Sequence, residues 1–257
     1  MVTVLRKTGT VLKPNRDGSH IYDFLENRPR TSTEPSLRFK VFDLGLVDFK
    51  KALEAQKEVY SRVKNGEQFS ALIFCRHHPV ITLGRSSSRK NILATEVDLI
   101  SGGIEVCETG RGGDVTYHGP GSMNVYPIIN LSFFKKDIHW FLRTLEEVVI
   151  NLLSDFGIKG LRLAGLTGVW TGIAGEEKKI ASIGIAIRHW ITLHGLSIII
   201  KEADLKKFQY IRPCGMDIKM TSLETLLGRD IEMEEIKEIL IRKFEAEFTR
   251  HANMVNS

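Results

Sequence analysis

Lys179-Ile-Ala-Ser-Ile-Gly-Ile-Ala-Ile-Arg188 sets Ile183, Ile185 and Ile187 at every second position, with Ser182, Gly184 and Ala186 between them. A period of two belongs to a strand, whose successive side chains point to opposite faces. One face of this strand is bulky and apolar; the other is nearly bare. A second strand follows close behind in His194-Gly-Leu-Ser-Ile-Ile-Ile200. Upstream, Arg38-Phe-Lys-Val-Phe-Asp43 alternates, and Ser70–Cys75 and Pro79–Gly84 are short apolar runs bounded by turns, all three expected as strands. Residues 46–65 carry Phe49, Leu53, Tyr60 and Val63 on one expected helical face, ended by Asn65-Gly66. Asp137 is placed to cap a longer helix, in which Ile138, Phe141, Leu145, Val148 and Leu152 recur at helical spacing up to Gly157. A last amphipathic helix uses Ile236, Ile239, Leu240 and Phe244. Strands clustered between helices without strict βαβ alternation predict an α+β domain, a mixed β-sheet with flanking helices.

The 257 residues are 42% hydrophobic and 26% charged, as in a soluble globular chain able to bury a substantial core. No run approaches the ~20 apolar residues that cross a bilayer, so no membrane partner is expected. The N-terminus lacks the order of a secretory signal, and Asp17, Asp23, Glu26 and Glu34 argue against a mitochondrial presequence. Three cysteines, Cys75, Cys107 and Cys214, are too few and too scattered for a disulfide framework, which predicts a reducing, cytoplasmic setting. The net charge of +5 suits an acidic partner. No Lys/Arg-rich tract with interleaved aromatics is present, so nucleic acid is not expected. Residues 1–36 contain several turn formers and read as an N-terminal extension, with one catalytic domain over 37–250.

Chemistry concentrates in three places. Cys214 stands in Arg-Pro-Cys-Gly-Met-Asp, between a residue with fixed φ and one with none of the usual restrictions. A thiol on such a rigid, accessible loop is a candidate nucleophile; a small apolar side chain at a strand-to-turn boundary is the alternative. Thr109-Gly-Arg-Gly-Gly-Asp-Val-Thr-Tyr-His-Gly-Pro-Gly121 crowds Arg, Thr, Tyr and His around a tight glycine-rich loop. It lacks the Gly-Lys-Ser/Thr of a P-loop, and a plain hairpin is the alternative. Lys179 opens an apolar strand, where it is either desolvated or an ordinary solvated strand end like Lys178. His77 and His78 have no second Cys/His pair at ligand spacing, so no metal site is assigned. Cys75 and Cys107 sit in apolar strand-like context and are expected in the core.

Taken together, these runs resemble the lipoyl (octanoyl) transferase family. Arg-Gly-Gly-Asp-Val-Thr-Tyr-His-Gly-Pro-Gly121 matches its signature nearly letter for letter, and His78-Pro-Val-Ile-Thr-Leu-Gly-Arg85 matches its upstream strand and turn. Leu166–Thr171, Lys179–Ile185, Leu193–Ser197 and Pro213–Leu223 match in the family's order and spacing, so that the likeness spans Arg38 to Leu227. The resemblance implies the fold of the lipoate- and biotin-protein ligase catalytic domains, and no cofactor. It implies that Cys214 carries an acyl thioester and that Lys179 lowers its pKa and acts as general acid/base. It further implies an acyl pocket lined by Arg111, Gly112, Gly113, Asp114, Val115, Thr116, Tyr117 and His118, by Ser182, Ile183 and Gly184, and by Gly195, Leu196 and Ser197. Two departures stand out: Ser122-Met123-Asn124-Val125 replaces the usual Gln-Leu-Val-Gly, and Ser182 and Ser197 stand where alanine is common.

The implied reaction is octanoyl transfer from octanoyl-acyl carrier protein to a lysine of lipoyl domains, in 2-oxoacid dehydrogenase subunits and the glycine cleavage H protein. The Gly215 N–H is one expected oxyanion donor. Two other readings are an ATP-dependent lipoate-protein ligase on the same fold, which would not need Cys214, and a non-catalytic module that binds acyl carrier protein or a lipoyl domain.

Overall fold

In the computed structural model, residues 39–67 and 70–255 are described, preceded by the backbone of two short paired strands, β1 (Thr10–Val11) and β2 (Tyr22–Asp23). The rest of the expected extension over 1–36 lies outside the described residues, as do the side chains of Cys214 and of 253–255. The chain continues through β3 (Lys40–Val47), α1 (Phe49–Lys64), β4 (Ser70–His77), β5 (Val80–Leu83), α2 (Glu96–Ser101), β6 (Glu105–Glu108), β7 (Val115–His118) and β8 (Ser122–Ile129). It then forms α3 (Ile138–Asp155), β9 (Val169–Thr171), β10 (Lys178–Arg188), β11 (Ile191–Ile199), α4 (Leu223–Leu227) and α5 (Met233–Val255). Helix α5 thus runs past residue 250, where the domain was expected to end.

Six strands form one sheet in the order β3-β4-β8-β11-β10-β9, with β3 and β4 parallel and every other pair antiparallel. A smaller sheet has the order β6-β5-β7, with β5 parallel to β6 and antiparallel to β7. This is the mixed-sheet α+β architecture expected from the patterning. The large sheet has an apolar side chain at nearly every position on one face, where Phe74, Val125, Ile183, Ile185, Leu196 and Ile198 meet α3 and α5. On its other face Ile73, Cys75, Tyr126 and Ile128 pack under α1.

Local chemistry accounts for the helix ends. Asp137 caps α3 by accepting the Trp140 N–H at 3.0 Å. The α1 face differs from the expected one. Phe49, Ala52, Gln56, Val59 and Val63 are its buried residues, while Leu53 and Tyr60 are only part-buried. A polar Gln56 in the buried stripe diverted the periodic reading. Helix α2 and strand β6, before the glycine-rich run, and strand β7 within it were not foreseen; α2 owes its start to a reciprocal Thr95–Asp98 capping box rather than to an apolar stripe.

Phe248 is the hub of the helical layer. Its ring meets Phe39 at 5.5 Å, Phe134 at 5.3 Å, Trp140 at 6.1 Å, Phe141 at 6.3 Å and Phe244 at 6.3 Å between centroids, and it is fully buried. Replacing it leaves a void that this many partners cannot jointly collapse into. Phe248→Ala is expected to cost about 3–5 kcal/mol, read from the shift of the urea midpoint at unchanged m-value.

Candidate active site

Strands β10 and β11 pair so that Ser182 faces Ser197 and Gly184 faces Gly195. These bare positions lie on the face opposite the isoleucines, and they leave a gap against the small sheet. The gap is a cavity of about 400 Å³, within the range of small-molecule sites. Its walls include Ser182, Ile183, Gly184, Gly195, Leu196 and Ser197 from the large sheet, and Arg111, Gly113, Asp114, Val115, Thr116 and His118 from the glycine-rich run. A Cβ on Gly184 would stand 2.8 Å from the Gly112 carbonyl oxygen and 3.2 Å from Arg111 Cδ, so a larger residue there closes the space.

Two expected lining residues are elsewhere. Tyr117 points away from the cavity, because Thr116 and His118 take the inward positions of β7 and leave it on the other face, where it packs edge-on to Phe208 at 5.7 Å. Gly112 lies behind the wall, its N–H donating to Ile185 O at 2.8 Å. The unusual Ser122-Met123-Asn124-Val125 opens the buried strand β8, and none of the four lines the cavity. Cys75 and Cys107 are buried, as expected.

The floor is a chain of buried hydrogen bonds. Arg111 donates through Nε and Nη2 to Thr82 Oγ1 at 3.2 and 2.9 Å, and through Nη2 to Thr82 O at 2.7 Å. With its oxygen so engaged, Thr82 has its hydroxyl proton left for His118 Nε2, 3.2 Å away. His118 Nδ1 then carries the proton, 3.3 Å from Ser197 Oγ. A parallel chain follows from Val47, whose carbonyl only accepts. His77 donates to it from Nδ1 at 3.0 Å, so its Nε2 accepts from the Tyr126 hydroxyl at 2.6 Å. Burial holds His77 down to about 4 and His118 well below the usual histidine range, both therefore neutral near pH 7.

Sequence reasoning missed several wall residues: Phe49, Ser86, Tyr126, His194, the segment Gly165-Leu166-Thr167, Pro213 and Met216. His194 had a signal next to Gly195, but its backbone state did not. It sits at φ 58° inside β11, a costly conformation for a non-glycine residue, and its N–H is held at 2.9 Å by Gln56 Oε1. Burial, then the charges of Arg111, Arg188 and Arg85, push it down to about 4.

Lys179 is buried, unlike its exposed neighbour Lys178, and lines the cavity. Its Nζ stands 4.7 Å from the centroid of the Trp170 ring, a cation–π arrangement. The segment after Cys214 is stitched to its backbone: Lys179 N–H donates to Lys219 O at 2.8 Å and Thr221 N–H donates to Lys179 O at 2.9 Å. On the other side, Arg212 N–H donates to Asn91 O at 2.8 Å. The turn Pro213–Gly215 is thereby carried to the cavity, where Pro213 and Met216 form part of the wall. The Gly215 N–H is not an open oxyanion donor, because it closes the turn by donating to Arg212 O at 3.0 Å.

Behind Lys179 lies Gly168, at φ 129°; a Cβ there would meet Ala181 O at 2.5 Å and Lys179 Cε at 2.6 Å. Its N–H donates to Glu146 Oε1 at 3.2 Å, and the fully buried Glu146 also accepts from Arg143 at 2.6 Å and Arg162 Nε at 3.0 Å. This carboxylate holds the Gly165–Thr167 wall. Glu146→Ala is expected to cost about 2–3 kcal/mol by orphaning the Gly168 N–H and separating two cations from their partner, measured as a fall in urea midpoint.

The histidines also set an acid limit. Unfolded, each takes up a proton near pH 6.5; folded, His77 and His194 do so only near 4. The unfolded chain therefore binds more protons in that window, and stability rises with pH through it, by on the order of 3 kcal/mol per histidine. Urea midpoints at about pH 4.5 and pH 7 should differ accordingly. His194→Gln should show a smaller difference; an unchanged one would assign the acid limit to other groups.

Among the described residues no cluster of three or more His, Cys, Asp or Glu side chains is arranged to hold a metal ion, and no helix is long and apolar enough to cross a membrane. The family model of the lipoyl protein ligase A/B catalytic domain matches residues 48–245. A Solibacter usitatus protein named octanoyltransferase is 41% identical over 201 residues, 78% of this chain and 89% of its own length. Among solved structures, lipoate-protein ligase A bound with ATP aligns with a TM-score of 0.67 at 20% identity, over 82% of this chain and 86% of that one. Biotin protein ligase from Aquifex aeolicus, in complex with biotin and ATP, aligns with a TM-score of 0.50 at 13% identity, over 82% and 72%. At these identities the solved structures establish the shared fold, while the family match and the closer sequence relative establish descent. The chain belongs to the lipoyl protein ligase A/B catalytic domain family, among its octanoyltransferases.

Proposed function

We propose that this protein moves an octanoyl group from octanoyl-acyl carrier protein to a specific lysine of lipoyl domains, through a thioester on Cys214. The observation that carries this reading is the pair of backbone hydrogen bonds joining Lys179 to Lys219 and Thr221, which ties a buried lysine to the Cys214 loop beside a cavity with an apolar wall. In the first half-reaction the Cys214 thiol gives its proton to the neutral amine of Lys179. The thiolate attacks the carbonyl carbon of the octanoyl thioester. A new C–S bond forms, the bond to the carrier's sulfur breaks, and the carrier thiolate takes the proton back from Lys179. In the second, the neutral amine of the acceptor lysine attacks the acyl-Cys214 carbonyl. A C–N bond forms, the C–S bond breaks, and the amine proton passes by way of Lys179 to the Cys214 sulfur. A thioester is higher in energy than the amide it yields, so no ATP is consumed.

Roles follow for the walls. Phe49, Leu166 and Met216 of the wall offer apolar surface to the acyl chain, at about 0.8 kcal/mol for each methylene buried. The neutral His118 and His77 complete a floor that takes no charge from solvent at working pH. The acceptors are lipoyl domains of 2-oxoacid dehydrogenase subunits and the glycine cleavage H protein, and the net charge of +5 favours encounter with an acidic carrier.

Intact mass after mixing the protein with octanoyl-acyl carrier protein, without ATP, tests the reading. One octanoyl addition is expected, removed by hydroxylamine and absent in Cys214→Ala. Acylation of a lipoyl domain that appears only with ATP and free octanoate would make the protein a ligase.

A further inference from the structure

The ionisable side chains described in the cavity wall are the guanidinium of Arg111, the amine of Lys179, the buried histidines His118 and His194, Tyr126, and a single carboxylate, Asp114. The histidines are held neutral by burial. An acyl thioester is neutral too, and Lys179 is left as the neutral amine once the carrier thiolate has taken its proton, so a lysine ammonium arriving from an acceptor protein meets one fixed cation, Arg111, and one carboxylate, Asp114. Like charges repel in such a confined space, and an incoming cation needs a counter-charge on its path.

Asp114 stands on that path. It is half-buried at the end of the Arg-Gly-Gly-Asp run, and its Oδ2 lies 3.9 Å from the point where a Cβ on Gly215 would be. Gly215 follows Cys214, is exposed, and presents no side chain between solvent and the carboxylate. The carboxylate is also rigid: Oδ1 accepts the Val115 N–H at 2.7 Å and Oδ2 accepts from Asn91 Nδ2 at 2.6 Å. Asn91 fixes the turn as well, through Arg212 N–H. One residue thus sets the position of the carboxylate relative to the cysteine turn. Each oxygen has a further acceptor site, which a primary ammonium can fill.

We infer that Asp114 is the receiving site for the acceptor's lysine ammonium, an inference that rests on the acyl-transfer reading above. The ammonium docks on Asp114 and releases one proton to water at the open side of the carboxylate. The neutral amine then attacks the acyl-Cys214 carbonyl, and its second proton leaves by way of Lys179 to the cysteine sulfur as the C–S bond breaks.

The two half-reactions separate this role from a structural one. Octanoyl-enzyme is prepared from unaltered protein, Asp114→Asn and Asp114→Glu. Its discharge is followed by intact mass against increasing lipoyl domain and, separately, against hydroxylamine, an uncharged nucleophile. Asp114→Asn is expected to raise the lipoyl-domain concentration for half-maximal discharge about tenfold or more, while hydroxylamine discharge falls less than about twofold, and Asp114→Glu to restore part of the loss. Equal losses toward both nucleophiles, or an unchanged dependence on lipoyl domain, would overturn the assignment. Failure of the unaltered protein to take up an octanoyl group would instead sink the acyl-transfer reading itself.

Discussion

The register between β10 and β11 is the constraint on which the rest depends. Ser182 opposite Ser197 and Gly184 opposite Gly195 put all four small residues on one face, while Ile183, Ile185, Leu196 and Ile198 go to the other. A slip of one residue would exchange the faces, filling the cavity with branched side chains and leaving glycines and serines against α3 and α5. The apolar burial that stabilises the helical layer and the space that a substrate would occupy are therefore two consequences of one pairing. Selection of the register by the core side chains also creates the gap on the opposite side.

A gap beside a sheet would collapse or fill with solvent unless its lining were rigid. Here the rigidity comes from polar groups that satisfy one another. The Arg111–Thr82–His118–Ser197 chain crosses from the glycine-rich loop through the small sheet to the large one, and the Val47–His77–Tyr126 chain braces it from the α1 side. Burial makes the neutral form of both histidines the stable one, so the chains carry a single pattern of donors and acceptors near neutral pH. The same desolvation makes the fold vulnerable to acid, so rigidity of the floor and the acid limit share a cause.

Much of this was legible in advance because it is local. The alternation of β10, the Asp137 cap and the final amphipathic helix are properties of a few neighbouring residues, and they appear where the pattern puts them, while the strand expected from His194 begins earlier, at Ile191. What was misread involves partners far along the chain. Tyr117 shares a motif with His118, yet the pleat turns it into the core. Gln56 interrupts the apolar stripe of α1 because it serves the backbone of His194, 138 residues away. The Gly215 N–H has the right neighbours for an oxyanion donor, but the turn consumes it.

From the order of residues alone come the α+β class and the family likeness, which depend on residue type and spacing, and from that likeness the candidate reactive pair Cys214 and Lys179. Tertiary structure decided which groups meet. It brought Lys179 against the strand of chain that follows Cys214, stood Asp114 beside Gly215, set Glu146 behind the loop that supports Lys179, and turned Tyr117 out of the site. The physical reason is that hydrogen bonds between distant segments and the direction of each side chain on its strand are fixed only when the sheets close on one another, and a linear pattern contains neither.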